Sequence, residues 1–191
     1  TATADDYYDA INAQLLLPSF KPRTLLDRFN IELIATTEGA LNSLQHHAAL
    51  KGTGYDKKVI TTFRPDDVVD ADRADFAANV RQLGALTGQD TQSYSGYLAA
   101  LRLRRQFFRD HGATATDHGH PTAKTADLSP SAAAALFSRC LAGEASLAET
   151  ELFRAQMLTE MAGMSLEDGM TMQIHPGAHR NHNPIIFNNF G

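Results

Sequence analysis

Four short runs of β-branched and apolar residues, separated by segments of helical periodicity, restrict this chain more than any other feature in it. Residues 31–37 (IELIATT), 57–63 (KKVITTF), 112–117 (GATATD) and 169–177 (GMTMQIHPG) have strand length and turn-forming boundaries. Strands joined by helical crossovers pair in parallel, and a parallel sheet needs helices over its faces. The predicted class is α/β: parallel strands with helical crossovers, rich in helix.

The segments between the runs supply those helices. Residues 22–29 open with Pro22, suited to a first helical turn. Residues 41–54 place Leu41, Leu44, Ala48 and Ala49 on one face, with Gly52 and Gly54 as stops. Residues 74–88 carry a stripe of Phe76, Val80, Leu83 and Leu86, and residues 93–112 one of Tyr94, Tyr97, Leu101 and Phe108. Residues 127–143 and 146–165 follow, with Ser129 and Ser146 as N-caps. Met157, Met161 and Met164 fall at helical spacing and read as core filler. Arg102, Arg105 and Arg109 read as a solvated stripe opposite an apolar face. His46 and His47, adjacent on a helix and about 100° apart, read as surface residues rather than a metal pair at i and i+4.

Composition excludes several classes. Seventeen Lys and Arg against 22 Asp and Glu leave a net charge of −5, so neither nucleic acid nor an anionic membrane is expected as a partner. The one cysteine, Cys140, cannot form an internal disulfide and sits as a small hydrophobe in a helical segment, which fits a reducing, cytoplasmic compartment. No stretch approaches the ~20 apolar residues of a membrane span, and the N-terminus has no apolar signal core. The absent initiator Met and the ending PIIFNNFG read as the limits of an excised piece.

The four runs end in TT, TFRP, TDHGHP and IHPG, so polar and ionisable residues collect where the strands run out. In parallel α/β folds, and above all in (β/α)8 barrels, function sits at those ends. Arg64, His118, His120 and His175 are thus expected to be neighbours. A whole barrel takes ~250 residues and eight strands; about four are legible here, so the expected unit is a single domain over 1–191 that is part of a barrel.

The segments VITTFRPD, GATATDHGHP, LFRAQMLTEMAGMS and GMTMQIHPGAHRNHN, in this order and at these spacings, resemble the middle of uronate isomerase, the glucuronate isomerase branch of the amidohydrolase superfamily. The resemblance runs from about Tyr8 to Gly191, and its most specific parts are Asp117-His118-Gly119 and His175 through Arg180-Asn181. It implies a distorted (β/α)8 barrel and the isomerisation of D-glucuronate to D-fructuronate, or of galacturonate to tagaturonate. It also implies a divalent metal such as zinc in the intact enzyme, held by a His-x-His pair at the end of the first barrel strand and an Asp at the end of the last. Neither segment is among these residues, so His118-Gly119-His120 imitates that pair in spelling only and no metal ligand is assigned in this chain.

Moving a carbonyl from C1 to C2 requires a base for the C2 proton, a stabiliser for the enediolate and an anchor for the remote carboxylate. Arg64 suits the anchor, because guanidinium grips a carboxylate through two parallel hydrogen bonds; by resemblance it falls where the family has a substrate-contacting Arg. The other reading of Arg64 is an ion pair with Asp66 or Asp67. His118 and His175 are the candidate catalytic residues, able to donate hydrogen bonds, relay a proton or bind metal. A turn histidine or one tied to a backbone carbonyl is the plainer alternative. Arg180 and Asn181 are candidate substrate contacts, although Arg180 also suits the cap of a helix beginning near Pro184. The edge strands of a partial barrel favour self-association, so a homo-oligomer is expected. Two other readings remain: an inactive barrel fragment or interaction module, and a different metal-dependent hydrolase of the same superfamily.

Overall fold

The computed structural model describes residues 2–177 and 182–190. Within them four strands form one sheet: β1 (Ile34–Gly39), β2 (Val59–Arg64), β3 (Ala115–His118) and β4 (Thr171–Ile174). They lie in the order β1-β2-β3-β4, and each neighbouring pair is parallel. The crossovers are helical, with α1 (Ala4–Leu16) and α2 (Pro22–Arg28) before the sheet and α3 (Gln45–Leu50) between β1 and β2. Three helices link β2 to β3: α4 (Asp66–Val69), α5 (Phe76–Thr87) and α6 (Tyr94–Asp110). Two more, α7 (Pro130–Ala142) and α8 (Leu147–Asp168), link β3 to β4, and α9 (Pro184–Phe190) follows.

Every strand starts later than its sequence pattern, because the first residues of each pattern are spent on turns. Ile31 N donates to Leu26 O at 2.9 Å and Val59 N to Tyr55 O at 2.9 Å. Gly169 adopts φ 74° to end α8, a left-handed conformation that suits glycine. The segment 41–54 shortens to α3, leaving Ala48 and Ala49 exposed. Helix α1 has no counterpart in the predicted elements. Its signal is local: Thr3 Oγ1 accepts from Asp6 N at 3.3 Å while the Asp6 carboxylate accepts from Thr3 N at 2.7 Å, a capping box. The helix buries none of its residues.

The core lies on one face of the sheet, under α5 to α8. Phe63 meets Phe108 edge to face at 5.0 Å, and Tyr97 stacks on Phe137 at 4.6 Å. The buried Tyr97 hydroxyl is satisfied by donating to Val68 O at 2.8 Å. Met157, Met161 and Met164 fill the core as expected. Cys140 is buried too, and burial pushes its thiol up to about 12, which leaves it unreactive. Ser129 and Ser146 cap α7 and α8 as anticipated.

Two surface assignments are corrected. Arg105 is not solvated: 1% exposed, it donates to Asp168 at 2.6 and 3.0 Å and to Ser165 Oγ at 3.0 Å, tying α6 to the end of α8. Only a carboxylate within reach makes such burial tolerable. His47 is not a surface residue either, since its Nε2 lies 3.0 Å from Thr36 Oγ1 on β1 and the side chain is largely covered. Among the described residues no helix is long and apolar enough to cross a membrane.

Candidate active site

Successive residues of a strand point to opposite faces of the sheet, and here the faces differ sharply. Phe63, in register with Thr116, lies on the helix-covered face, and so does His118, two residues after Thr116; all three are 0% exposed. Arg64 and Asp117, one residue on from that pair, take the other face. Ala35, Thr37, Thr171 and Gln173 of that face are exposed, so it is open along the outer strands, while Thr62, Ala115 and Asp117 on the inner strands are buried.

At the C-terminal ends of β2, β3 and β4 the open face gathers three functional groups. Arg64 Nη2 donates to Asp117 Oδ2 and lies 3.0 Å from His175 Nε2. The same His175 nitrogen is 2.5 Å from Asp117 Oδ1. One ring nitrogen therefore stands between a group that can only donate and one that only accepts when ionised. With a proton, His175 Nε2 donates to Asp117; without it, the lone pair accepts from Arg64. Both protonation states find a partner, which is what a proton-handling group needs.

Asp66, first residue of α4, reaches back to the same place. Its two oxygens accept from Gly119 N at 3.3 and 3.2 Å, and Oδ2 lies 3.7 Å from Arg64 Nε. Burial raises its carboxyl above the ordinary aspartate value, against the pull of the Gly119 N–H and of His120. Asp67 turns away towards Ala40 N, which donates to it at 3.3 Å. Of the two ion-pair partners considered for Arg64, the nearby one is thus Asp66, and the main partner is Asp117.

The expected neighbourhood is only partly formed at the level of side chains. Arg64 and His175 meet. The backbone of His118 is beside them, its carbonyl accepting from His175 N at 3.1 Å, but its ring is on the covered face, with Nε2 2.9 Å from Thr116 Oγ1. Burial, with the nearby His120 and Arg105, drives the His118 imidazole down to about 3, so it is neutral at ordinary pH. The His120 ring lies 5.9 Å from it and is pushed down as well, chiefly by burial. His120 helps line a cavity of about 30 Å³ with Asp66, Asp70 and Arg154. Arg180 and Asn181 lie outside the described residues.

Among the described residues no three His, Cys, Asp or Glu side chains gather as a metal-holding group. At the strand ends Asp117 and His175 meet, two groups where a metal centre takes three or four ligands.

Sequence reasoning named Asp66 only as an alternative ion-pair partner of Arg64, which the structure places 3.7 Å away, and did not name Asp117 as a partner of Arg64 and His175. The signal for Asp117 was available: with Arg64 closing one strand, the residue closing the next on the same face falls at 117 rather than 118 once the register is known.

A parallel sheet with helical crossovers, its ionisable groups collected on the open face at the strand C-termini, defines an α/β protein of the barrel type with a strand-end site. Comparison with known proteins narrows this. The chain belongs to the glucuronate isomerase family, whose sequence profile matches residues 1–191. It is 58% identical over 189 residues to a uronate isomerase of Xanthomonas euvesicatoria, covering 99% of this chain and 40% of the relative. A uronate isomerase of Rhizorhabdus wittichii is also 58% identical, covering 99% and 41%. Among solved structures, the glucuronate isomerase of Caulobacter crescentus superposes with a TM-score of 0.89 at 54% identity over 96% of this chain and 38% of that one. The uronate isomerase of Thermotoga maritima superposes with a TM-score of 0.87 at 25% identity, covering 100% and 43%. The chain thus spans about 40% of the length of the curated relatives it matches.

Proposed function

We propose that the full-length protein isomerises an aldohexuronate to the corresponding ketohexuronate, D-glucuronate to D-fructuronate or D-galacturonate to D-tagaturonate, and that residues 1–191 are one part of its barrel. The observation that carries this reading is the Arg64, Asp117 and His175 cluster on the open strand ends. Membership of the family supports it.

In this reading Arg64 anchors the substrate carboxylate. Its Nη2 is held by Asp117, and among the described residues no hydrogen bond reaches Nη1, so that side of the guanidinium is available to a further carboxylate. His175 carries the proton between C2 and C1, with Asp117 orienting the ring. Of the two histidines named as catalytic candidates, exposure favours His175; His118, neutral and fully buried, serves as a brace for the end of β3. Arg180 and Asn181, five and six residues beyond His175, remain proposed substrate contacts. A divalent ion in the whole enzyme is part of the family resemblance, with its ligands outside this chain. The buried Cys140 supports a reducing, cytoplasmic setting, and a homo-oligomer remains part of the proposal.

The test is to assay the full-length protein on D-glucuronate and D-galacturonate beside the matching neutral aldoses and a panel of esters and amides. Ketose formation from the uronates is expected. Hydrolysis of the panel without isomerisation overturns the reading.

A further inference from the structure

Asp66 has no part in the proton transfer proposed above, yet its geometry ties it to the anchor. It sits on α4, immediately after the turn that ends β2, and grips the backbone that leaves β3 through Gly119 N. Its Oδ2 also lies 3.7 Å from Arg64 Nε, a buried donor that makes no hydrogen bond among the described residues. A side chain at position 119 would push the Asp66 carboxylate aside. A Cβ there would lie 2.7 Å from Asp66 Oδ2 and 3.2 Å from His175 Cε1, the first distance too short for any real contact.

Nε and Nη2 point along one side of the planar guanidinium. Asp66 faces that side at Nε and Asp117 holds it at Nη2, which turns the Nη1 side outward. We propose that Asp66 is a positioning residue for the Arg64 anchor, with the bare Cα of Gly119 as its seat. It sets the direction in which the guanidinium presents itself to the substrate carboxylate. This assignment rests on the anchor role given to Arg64 under the proposed function.

A residue that only braced the turn would change stability and leave substrate preference alone. The test therefore measures kcat, KM for the uronate, and competitive inhibition by a linear sugar acid against the matching alditol, in the full-length enzyme. Asp66→Asn keeps size and an acceptor for Gly119 N but removes the charge facing Nε. It is expected to raise KM about two- to five-fold with kcat nearly unchanged, the scale of a partly exposed ion pair. Asp66→Ala, which also strips the Gly119 acceptor, is expected to raise KM about tenfold. Gly119→Ala displaces the carboxylate without altering it and is expected to act in the same direction. In all three the preference for acid over alditol narrows. Unchanged KM and preference in folded Asp66→Asn and Gly119→Ala enzymes overturn the assignment. Arg64→Lys, run alongside, separates the two claims. If it abolishes the preference while the Asp66 variants keep it, only the positioning role falls; if it too keeps the preference, the anchor reading falls and this inference with it.

Discussion

His118 and His175 end neighbouring strands, and their backbones are hydrogen-bonded to each other, yet they inhabit different solvents. His118 is sealed on the helix-covered face with Thr116, and burial forces its imidazole to stay neutral. His175 stands on the open face with Arg64 and Asp117, 45% of its side chain exposed. The first face is built for packing: Phe63 against Phe108, Arg105 paired inward to Asp168. The second collects ionisable groups in mutual contact. The difference divides the strand end: under the proposed function the site is every second residue of it, and the intervening residues hold the sheet to its helices.

The contrast can be broken most forcefully from the covered side. Phe63→Ala removes a ring that is 0% exposed from the centre of the core, and is expected to cost about 3–5 kcal/mol. Urea unfolding of the full-length protein reads it. A cost below 1 kcal/mol would mean that this face is not the one that holds the fold.

On the open face the same kind of change should leave the fold and strike activity. Arg64→Lys keeps the charge but not the planar fork that offers Nη1 to the substrate while Nη2 is held by Asp117, and is expected to lower kcat/KM for the uronate by roughly ten- to 150-fold, the value of a charge-assisted hydrogen bond of ~1.5–3 kcal/mol. If Arg64 were only an exposed ion-pair partner, the Lys variant would keep most activity. Steady-state kinetics decide between these.

Acid separates the faces next. His118 binds its proton at about 3 in the folded protein but near 6.5 once unfolded. Between those values the unfolded chain holds the extra proton, so stability falls as pH drops from about 6.5 towards 3. Asp66, with a raised carboxyl, works the other way, favouring the folded state where it stays protonated. A melting temperature followed across this range is expected to fall on acidification, and to fall less steeply in His118→Asn. An identical slope in that variant would remove His118 as the cause.

The smallest effect is expected on α6. Arg102 pairs with Glu167 at 2.7 and 2.8 Å in the open, so Arg102→Ala should change stability by only ~0–1 kcal/mol. Arg105→Ala, one turn on but buried against Asp168, should cost several times more because it strands a carboxylate. Chemical denaturation of the two variants side by side tests whether covering, rather than residue type, sets the worth of an arginine.

Much of this was legible in the residues themselves. The period of the apolar positions and the capping residues Ser129 and Ser146 are local, so the parallel α/β class, the helices from residue 74 to 165 and the collection of polar groups at strand ends could be read directly. Strand starts were misplaced because a β-branched residue such as Ile31 suits a strand and a turn closure equally well until its N–H finds a partner. Helix α1 was overlooked although Thr3 and Asp6 spell a capping box. Among the candidate site residues, Arg64 and His175 were recognisable as strand-end groups and Asp66 as an ion-pair partner for Arg64; Asp117 was not recognised as the group that both of them meet.

What the sequence determined alone, then, is the series of elements and the chemical inventory at their ends, because both depend on neighbours a few residues apart. Which of those groups meet was decided by the tertiary structure. Register places Asp117 beside Arg64, the helices cover one face only, and the alternation of the strand sends His118 under that cover while Asp117 stays out of it. A strand has no inside until something packs on one of its faces, so no local pattern could have told the buried histidine from the exposed one.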